Sequence, residues 1–224
     1  MSERSRGESE VDLAELREEY SRAGLTEADL APDPVTMFRR WMAEALEAGL
    51  HEPNAMVVST ATADGRPSSR MVLLKGHDEN GFVFFTNTGS RKGEELAANP
   101  ACALLFPWHP LERQVRVDGT AVPLDEEAVA AYFARRPRRS RLGAWASHQS
   151  RPVAGREELA AAYDAAERRF PESDGVEVPV PEEWGGYLVV PEAVEFWQGR
   201  PGRMHDRLVY RRRGDDWDVV RLAP

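Results

Sequence analysis

The sequence predicts a mainly β protein whose strands pair antiparallel and close toward a barrel, with helices packed outside. Three observations point there. Six to eight short apolar runs rich in Val, Phe, Thr and Leu recur along the 224 residues, most separated by brief turns. Asp64-Gly65 stands between two of these runs, the sequence signal of a tight hairpin. Helical periodicity occurs before and between the strands without alternating with them, which argues against βαβ units and a parallel sheet. No repeat or low-complexity linker interrupts the chain, so residues 1–224 are expected to form one domain.

Residues 1–10 are polar and expected to be mobile. From Val11 to Ala23 the pattern is helical, with Leu13, Leu16 and Tyr20 near one face and Gly24 as a natural stop. A second helix starts at Asp33, an N-cap followed by Pro34, and carries Met37, Phe38, Trp41, Met42, Ala45 and Leu46 as its apolar stripe up to Gly49. Strands are expected over 55–62, 67–75 and 82–86. A short helix from Ser90 to Ala98 ends at Asn99-Pro100. Two more strands follow at 101–106 and 113–124. Asp125 then caps a helix to about Ala134, and another helix covers 157–169. After a Pro-rich acidic loop at 171–183, four strands close the chain at 186–190, 193–197, 206–212 and 217–222.

Composition bounds the function. A hydrophobic content of 42% with 30% charged residues is that of a soluble globular chain. The net charge of −9 excludes a general nucleic-acid or anionic-membrane binder, so an anionic ligand must be met by a local cluster. The single cysteine, Cys102, lies in an apolar run and reads as a buried thiol. The polar N-terminus has no signal-peptide core, and no apolar run approaches a membrane span, so the chain reads as cytoplasmic.

Three clusters could carry chemistry. Only two of the 29 basic side chains are lysines, Lys75 and Lys92, and both lie in polar surroundings. A lysine ammonium enters compact pockets that a planar guanidinium does not fit. Arg91 and Lys92 open a helix behind Gly89-Ser90, where free backbone N–H groups favour an anion. Arg70 and Lys75, five apart on one expected strand, should point to opposite faces.

The second cluster is 131–141, with five arginines between Arg135 and Arg141. It reads as a nucleic-acid patch, a solvated helix end, or a phosphate site in which Tyr132 and Arg136, four apart on one helix face, act with Ser140. The third is 195–212, where Arg203, His205 and Arg207 alternate onto one expected strand face beyond Trp197. Such a face suits an anionic or electron-rich ring. No metal-ligand spacing, nucleophile elbow, Walker loop or GxGxxG run occurs, which removes zinc, serine-hydrolase, P-loop and Rossmann readings.

Together, RMVLLK (70–75), FFTNTGSRK (84–92), FPWHPLERQV (106–115), YFARRPRRSRLGAWASHQS (132–150) and EFWQGRPGRMHDR (195–207) resemble the pyridoxamine 5′-phosphate oxidase family. The resemblance runs in order and with compatible spacing from about Arg17 to the terminal RLAP (221–224). It implies an FMN-binding split β-barrel working as a homodimer, with the flavin at the subunit interface. The implied reaction oxidises pyridoxamine or pyridoxine 5′-phosphate to pyridoxal 5′-phosphate; oxygen is the acceptor, hydrogen peroxide a product, and the amine releases ammonia. Carried onto this chain, FMN contacts fall on Arg70, Met71, Val72, Leu73, Leu74, Lys75, Phe85, Thr86, Arg91, Lys92, Gln114, Gln149, Ser150, Trp197 and Arg207. Substrate phosphate falls to Lys75, Tyr132, Arg136 and Ser140. Arg203, Met204 and His205 take the substrate ring, with Arg203 and His205 at the reacting carbon, and Arg17 and Tyr20 match a mobile N-terminal lid over 11–24. No metal is implied. Phe85 stands where the family often has Tyr. A non-catalytic flavin or pyridoxal-phosphate carrier, and a split-barrel reductase with another substrate, are the alternatives; no function attaches to 151–180.

Overall fold

The computed structural model describes residues 19, 20, 24–175 and 177–224. Arg17 and most of the helix expected over 11–23 lie outside them; Glu19 and Tyr20 are described and are not helical. Nine strands form one antiparallel sheet. They are β1 (Ala55–Ala61), β2 (Pro67–Leu73), β3 (Gly76–Asp78), β4 (Gly81–Asn87), β5 (Ala101–Trp108), β6 (Arg113–Pro123), β7 (Trp184–Gln198), β8 (Asp206–Arg213) and β9 (Asp216–Arg221). Their order is β2-β1-β5-β6-β7-β4-β3, with β8 on β7 and β9 on β8. The two ends of this order, β2 and β3, are consecutive in the chain, so the sheet curls into a barrel. Two adjacent residues make the join: Leu74 N–H donates to Asn54 O at 2.8 Å, and Lys75 N–H donates to Val83 O at 2.8 Å.

Alternation sends one face of each strand inward. Met56, Val58, Phe82, Phe84, Leu104, Phe106, Val115, Val117, Val194, Phe196, Leu208 and Tyr210 are fully buried there. Helix α1 (Pro34–Glu47) closes this core. Asp33 caps it, accepting from Thr36 N at 2.8 Å, and Pro34 takes the first turn, where no N–H is needed. Phe38 is fully buried and meets Phe82 edge-on, with ring centroids 5.0 Å apart. Phe38→Ala should therefore destabilise the protein by about 3–5 kcal/mol in a denaturant titration. Leu46, expected in the stripe, is 62% exposed because it lies one step round the helix from buried Ala45.

The sequence divides the 184–198 region into two strands around Pro191-Glu192; the structure carries one 15-residue strand through it. Proline has no N–H for the ladder, and the register with β6 shifts at Asp118/Gly119, opposite Pro191. A Cβ on Gly119 would stand 2.3 Å from Val190 O, so glycine is required at this bulge. The first half of β7 pairs with β4, the second with β8.

Helices α2 (Arg91–Ala98), α3 (Glu126–Arg135), α4 (Arg138–Ala146) and α5 (Arg156–Arg169) lie outside the barrel. Phe133, Leu142, Ala166, Phe170 and Val178 make a second, smaller core. Region 151–180 thus supplies α5 and Phe170, which hold α4 in place.

Candidate functional site

β2, the β4–α2 turn and the α3–α4 segment enclose a cavity of about 840 Å³. Ser90 caps α2, its side chain accepting from Gly93 N, and Arg91 and Lys92 of the first turn line the cavity. A Cβ on Gly93 would lie 2.0 Å from Thr88 O, so the first helical turn sits directly on that loop. Lys92 is only 6% exposed. Its Nζ donates to Thr86 Oγ1 at 2.9 Å, Ser90 Oγ at 3.2 Å and Gln149 Oε1 at 2.6 Å. Burial, then the charge of Arg70, pulls its pKa down to about 8. Three donors are used in a space that a guanidinium would overfill.

Arg70 donates to Val58 O at 3.2 Å and Thr60 Oγ1 at 2.6 Å. Behind it lies Glu95, 4% exposed. Burial works to raise the Glu95 pKa, but hydrogen bonds from Ser68, Thr60 and Arg91 outweigh it and bring it to about 2.

Lys75, Tyr132, Arg136 and Ser140 also line the cavity. Phe85 and Tyr132 stack face to face, with centroids 3.8 Å apart and planes 9° from parallel. The Arg136 guanidinium lies 4.0 Å over the Trp184 ring, and its buried NH1 has no hydrogen-bond partner among the described residues. Burial lowers its pKa, with Tyr132 partly opposing. As Arg136 lines the cavity, its guanidinium brings a fixed positive charge there that a phosphate would meet.

Several expectations are corrected in geometry. Helix α3 ends at Arg135, and Arg136 is extended (φ −71°, ψ 145°), so Tyr132 and Arg136 meet at the cavity without sharing a helix face. Strand β2 ends at Leu73, so Arg70 and Lys75 do not point apart; both line the cavity. Leu74 turns into the core at 6% exposure and does not line it. Met71, Val72, Leu73, Phe85, Thr86, Arg91, Gln149 and Ser150 do. The cluster 135–141 splits: Arg135 and Arg136 line the cavity, while Arg138 donates to Phe170 O and holds the smaller core.

Gln114, Trp197, Arg203, Met204, His205, Arg207 and Tyr20 gather elsewhere. Gln114, Trp197 and Arg207 are register neighbours across β6, β7 and β8, on the sheet face opposite buried Phe196. Arg207 grips Glu195 in a bidentate pair at 2.7 and 3.1 Å, which raises the Arg207 pKa. Only Arg207 of the expected Arg-His-Arg stripe is in a strand. His205 precedes β8, its Nδ1 accepting from Arg200 N at 3.1 Å, and its ring lies 4.6 Å from Trp197 and 5.6 Å from Tyr20. Arg203 is exposed on a short 3-10 turn at φ 62°, a conformation uncommon outside glycine, and Met204 is 70% exposed.

Residues 42–169 match the sequence profile of pyridoxamine 5′-phosphate oxidase, and residues 184–224 that of the pyridoxine 5′-phosphate oxidase C-terminal dimerisation region. The chain belongs to the pyridoxamine 5′-phosphate oxidase family. It is 69% identical over 214 residues to the pyridoxine/pyridoxamine 5′-phosphate oxidase of a Nocardioides species, covering 96% of this chain and 99% of that one. Identity to the enzyme of the same name from Rubrobacter xylanophilus is 62%, over 95% and 97% of the two chains. Among solved structures, PhzG from Burkholderia lata, in complex with tetrahydrophenazine-1-carboxylic acid, superposes with a TM-score of 0.82 at 36% identity, over 88% of this chain and 95% of that one. A pyridoxamine 5′-phosphate oxidase-related FMN-binding protein from Nostoc punctiforme shares the fold, with a TM-score of 0.67 at 20% identity, over 87% and 100% of the two chains. The barrel is thus the split β-barrel of this family, and FMN is its cofactor. The residues fit that group: Arg70, Arg91 and buried Lys92 form a corner able to hold its phosphate. Among the described residues no helix is long and apolar enough to cross a membrane.

Sequence reasoning missed Glu95, its partners Thr60 and Ser68, and Trp184 beneath Arg136. Glu95 had a signal: Lys92, Glu95 and Leu96 occupy the buried face of α2, so charges stand in core-periodic positions. Trp184 had none, because nothing local shows that the start of β7 lies under the segment joining α3 and α4.

Proposed function

We propose that the protein is a homodimeric oxidase that uses FMN to convert pyridoxamine or pyridoxine 5′-phosphate to pyridoxal 5′-phosphate. The observation that carries this reading is one cavity lined by more cations than a single phosphate needs. Lys92 with Arg70 and Arg91 suits the cofactor phosphate; Arg136 and Lys75 suit a second phosphate on the substrate. Bound FMN supplies the two-electron acceptor for oxidation of the carbon bearing the amine or hydroxyl. Oxygen as the final acceptor, hydrogen peroxide as a product, and release of ammonia with consumption of water for the amine complete the proposal.

The chain's own residues bind and orient. Arg136, Lys75, Tyr132 and Ser140 anchor the substrate phosphate, which fixes where the ring lies. Arg203 and His205 position the ring and steady charge as electrons leave. With Nδ1 accepting from the backbone, the neutral His205 carries its proton on Nε2 and presents it as a donor. Trp197 and Tyr20 brace that ring.

One chain does not bring these groups together. Arg136 sits on Trp184 and His205 on Trp197, with roughly 40 Å of strand β7 between them. No small substrate touches both, so the second copy supplies Arg203 and His205 across the interface. The match of 184–224 to a dimerisation region supports this arrangement.

The test is colour. The purified protein should be yellow, and either phosphate ester should bleach the flavin without oxygen, whereas the unphosphorylated vitamers at equal concentration should not. A flavin left unbleached by both esters would instead identify a carrier or a reductase of another substrate.

A further inference from the structure

The geometry points to Glu95 as a positioning residue of the cofactor-phosphate corner, aiming Arg70 and Arg91 at the ligand without touching it. This rests on the FMN reading above. Glu95 does not line the cavity, but both arginines do. Its Oε1 accepts from Arg91 Nε at 2.8 Å. Its Oε2 accepts from Thr60 and Ser68, and faces Arg70 NH2 at 3.4 Å. Arg70 itself donates to the same two hydroxyls, so carboxylate, hydroxyls and guanidinium form a closed network between the β1–β2 hairpin and α2.

Docking the helix does not explain a carboxylate here. Glu95 lies on the buried face of α2 beside Leu96, where an apolar side chain of similar volume would pack without desolvating a charge. What an apolar residue cannot do is hold two cations in fixed directions. Arg91 is the sharper case: its side chain is 59% exposed, so without Glu95 it would sweep many rotamers. Held, it presents its remaining donors to the corner already furnished by Lys92. Three cations against one carboxylate leave two positive charges, which matches a phosphomonoester dianion. The network thus supplies orientation and charge balance together.

The experiment titrates the full-length chain, freed of flavin, with FMN and with riboflavin, which lacks only the phosphate. The parent should prefer FMN strongly. In Glu95→Ala that preference should shrink about tenfold or more, with riboflavin affinity unchanged. Glu95→Gln, which keeps an oxygen for Arg91 and polar contacts to Thr60 and Ser68, should recover much of it. Full FMN preference in Glu95→Ala overturns the inference. So does an equal loss of both flavins in both variants, which would mark a merely structural role. A parent chain that binds neither flavin overturns the FMN reading itself, and the inference with it.

Discussion

Arg203→Leu should lower turnover about 30- to 1000-fold while FMN stays bound. The figure corresponds to ~2–4 kcal/mol of transition-state stabilisation from one close charged contact. Arg203 is exposed, so nothing in the fold depends on its side chain. Its backbone is nevertheless held in the left-handed region at φ 62°, directly after Gly202 at φ 64°. Such a backbone costs energy in an exposed turn, which accords with a role for Arg203 in the reaction. Melting temperature and flavin content should accordingly match the parent, with the loss confined to anaerobic flavin reduction by saturating substrate. Reduction within threefold of the parent would remove Arg203 from the reaction.

Lys92→Met should weaken FMN binding about 10- to 100-fold, the range for losing a buried positive charge beside the phosphate corner and the bonds by which it ties Thr86, Ser90 and Gln149 together. Lys92→Arg should also lose FMN, because the planar fork does not fit among Thr86, Ser90 and Gln149. The parent's FMN affinity should depend on pH. Free Lys92 has a pKa of about 8, and a bound phosphate favours the ammonium, so binding above that pH must take up a proton. Affinity should therefore be level below about pH 8 and fall as pH rises beyond it. The stability of the free protein runs the other way. Between about 8 and 10.5 the unfolded chain keeps a proton that folded Lys92 has lost, so this group's unfavourable contribution is relieved as pH rises. A Lys92→Met protein should show neither slope. Flavin fluorescence titrations from pH 6.5 to 9.5 read the first, and denaturant midpoints the second.

Much of the barrel was legible because its strands follow local rules. Asp64-Gly65 does turn the β1–β2 hairpin, with Gly65 at φ 85°, and Asp125 does cap α3, accepting from Ala128 N. What failed were features set by tertiary context. Pro191 reads as a break, and only a bulge against Gly119 keeps β7 whole. Helix α4 hides in an arginine-rich run because its apolar anchor is narrow: Leu142 is its one buried residue. Lys75 and Arg70 were placed on opposite faces because nothing local reveals that β2 ends at Leu73. Of the candidate site, the charged residues announced themselves by type and setting. Glu95 and Trp184, which support them, did not, since their value lies in contacts made across elements.

Strand β7 also limits how such a chain can vary over generations. Its side chains alternate between the core and the outer face along fifteen residues, with Trp184 at one end and Trp197 near the other. Adding or deleting one residue within either half would exchange core and outer faces beyond that point, carrying a tryptophan inward or Phe196 outward. Only at Pro191, where an irregular residue is already accommodated opposite Gly119, does the ladder have slack. Changes of length in this strand are confined to a single joint.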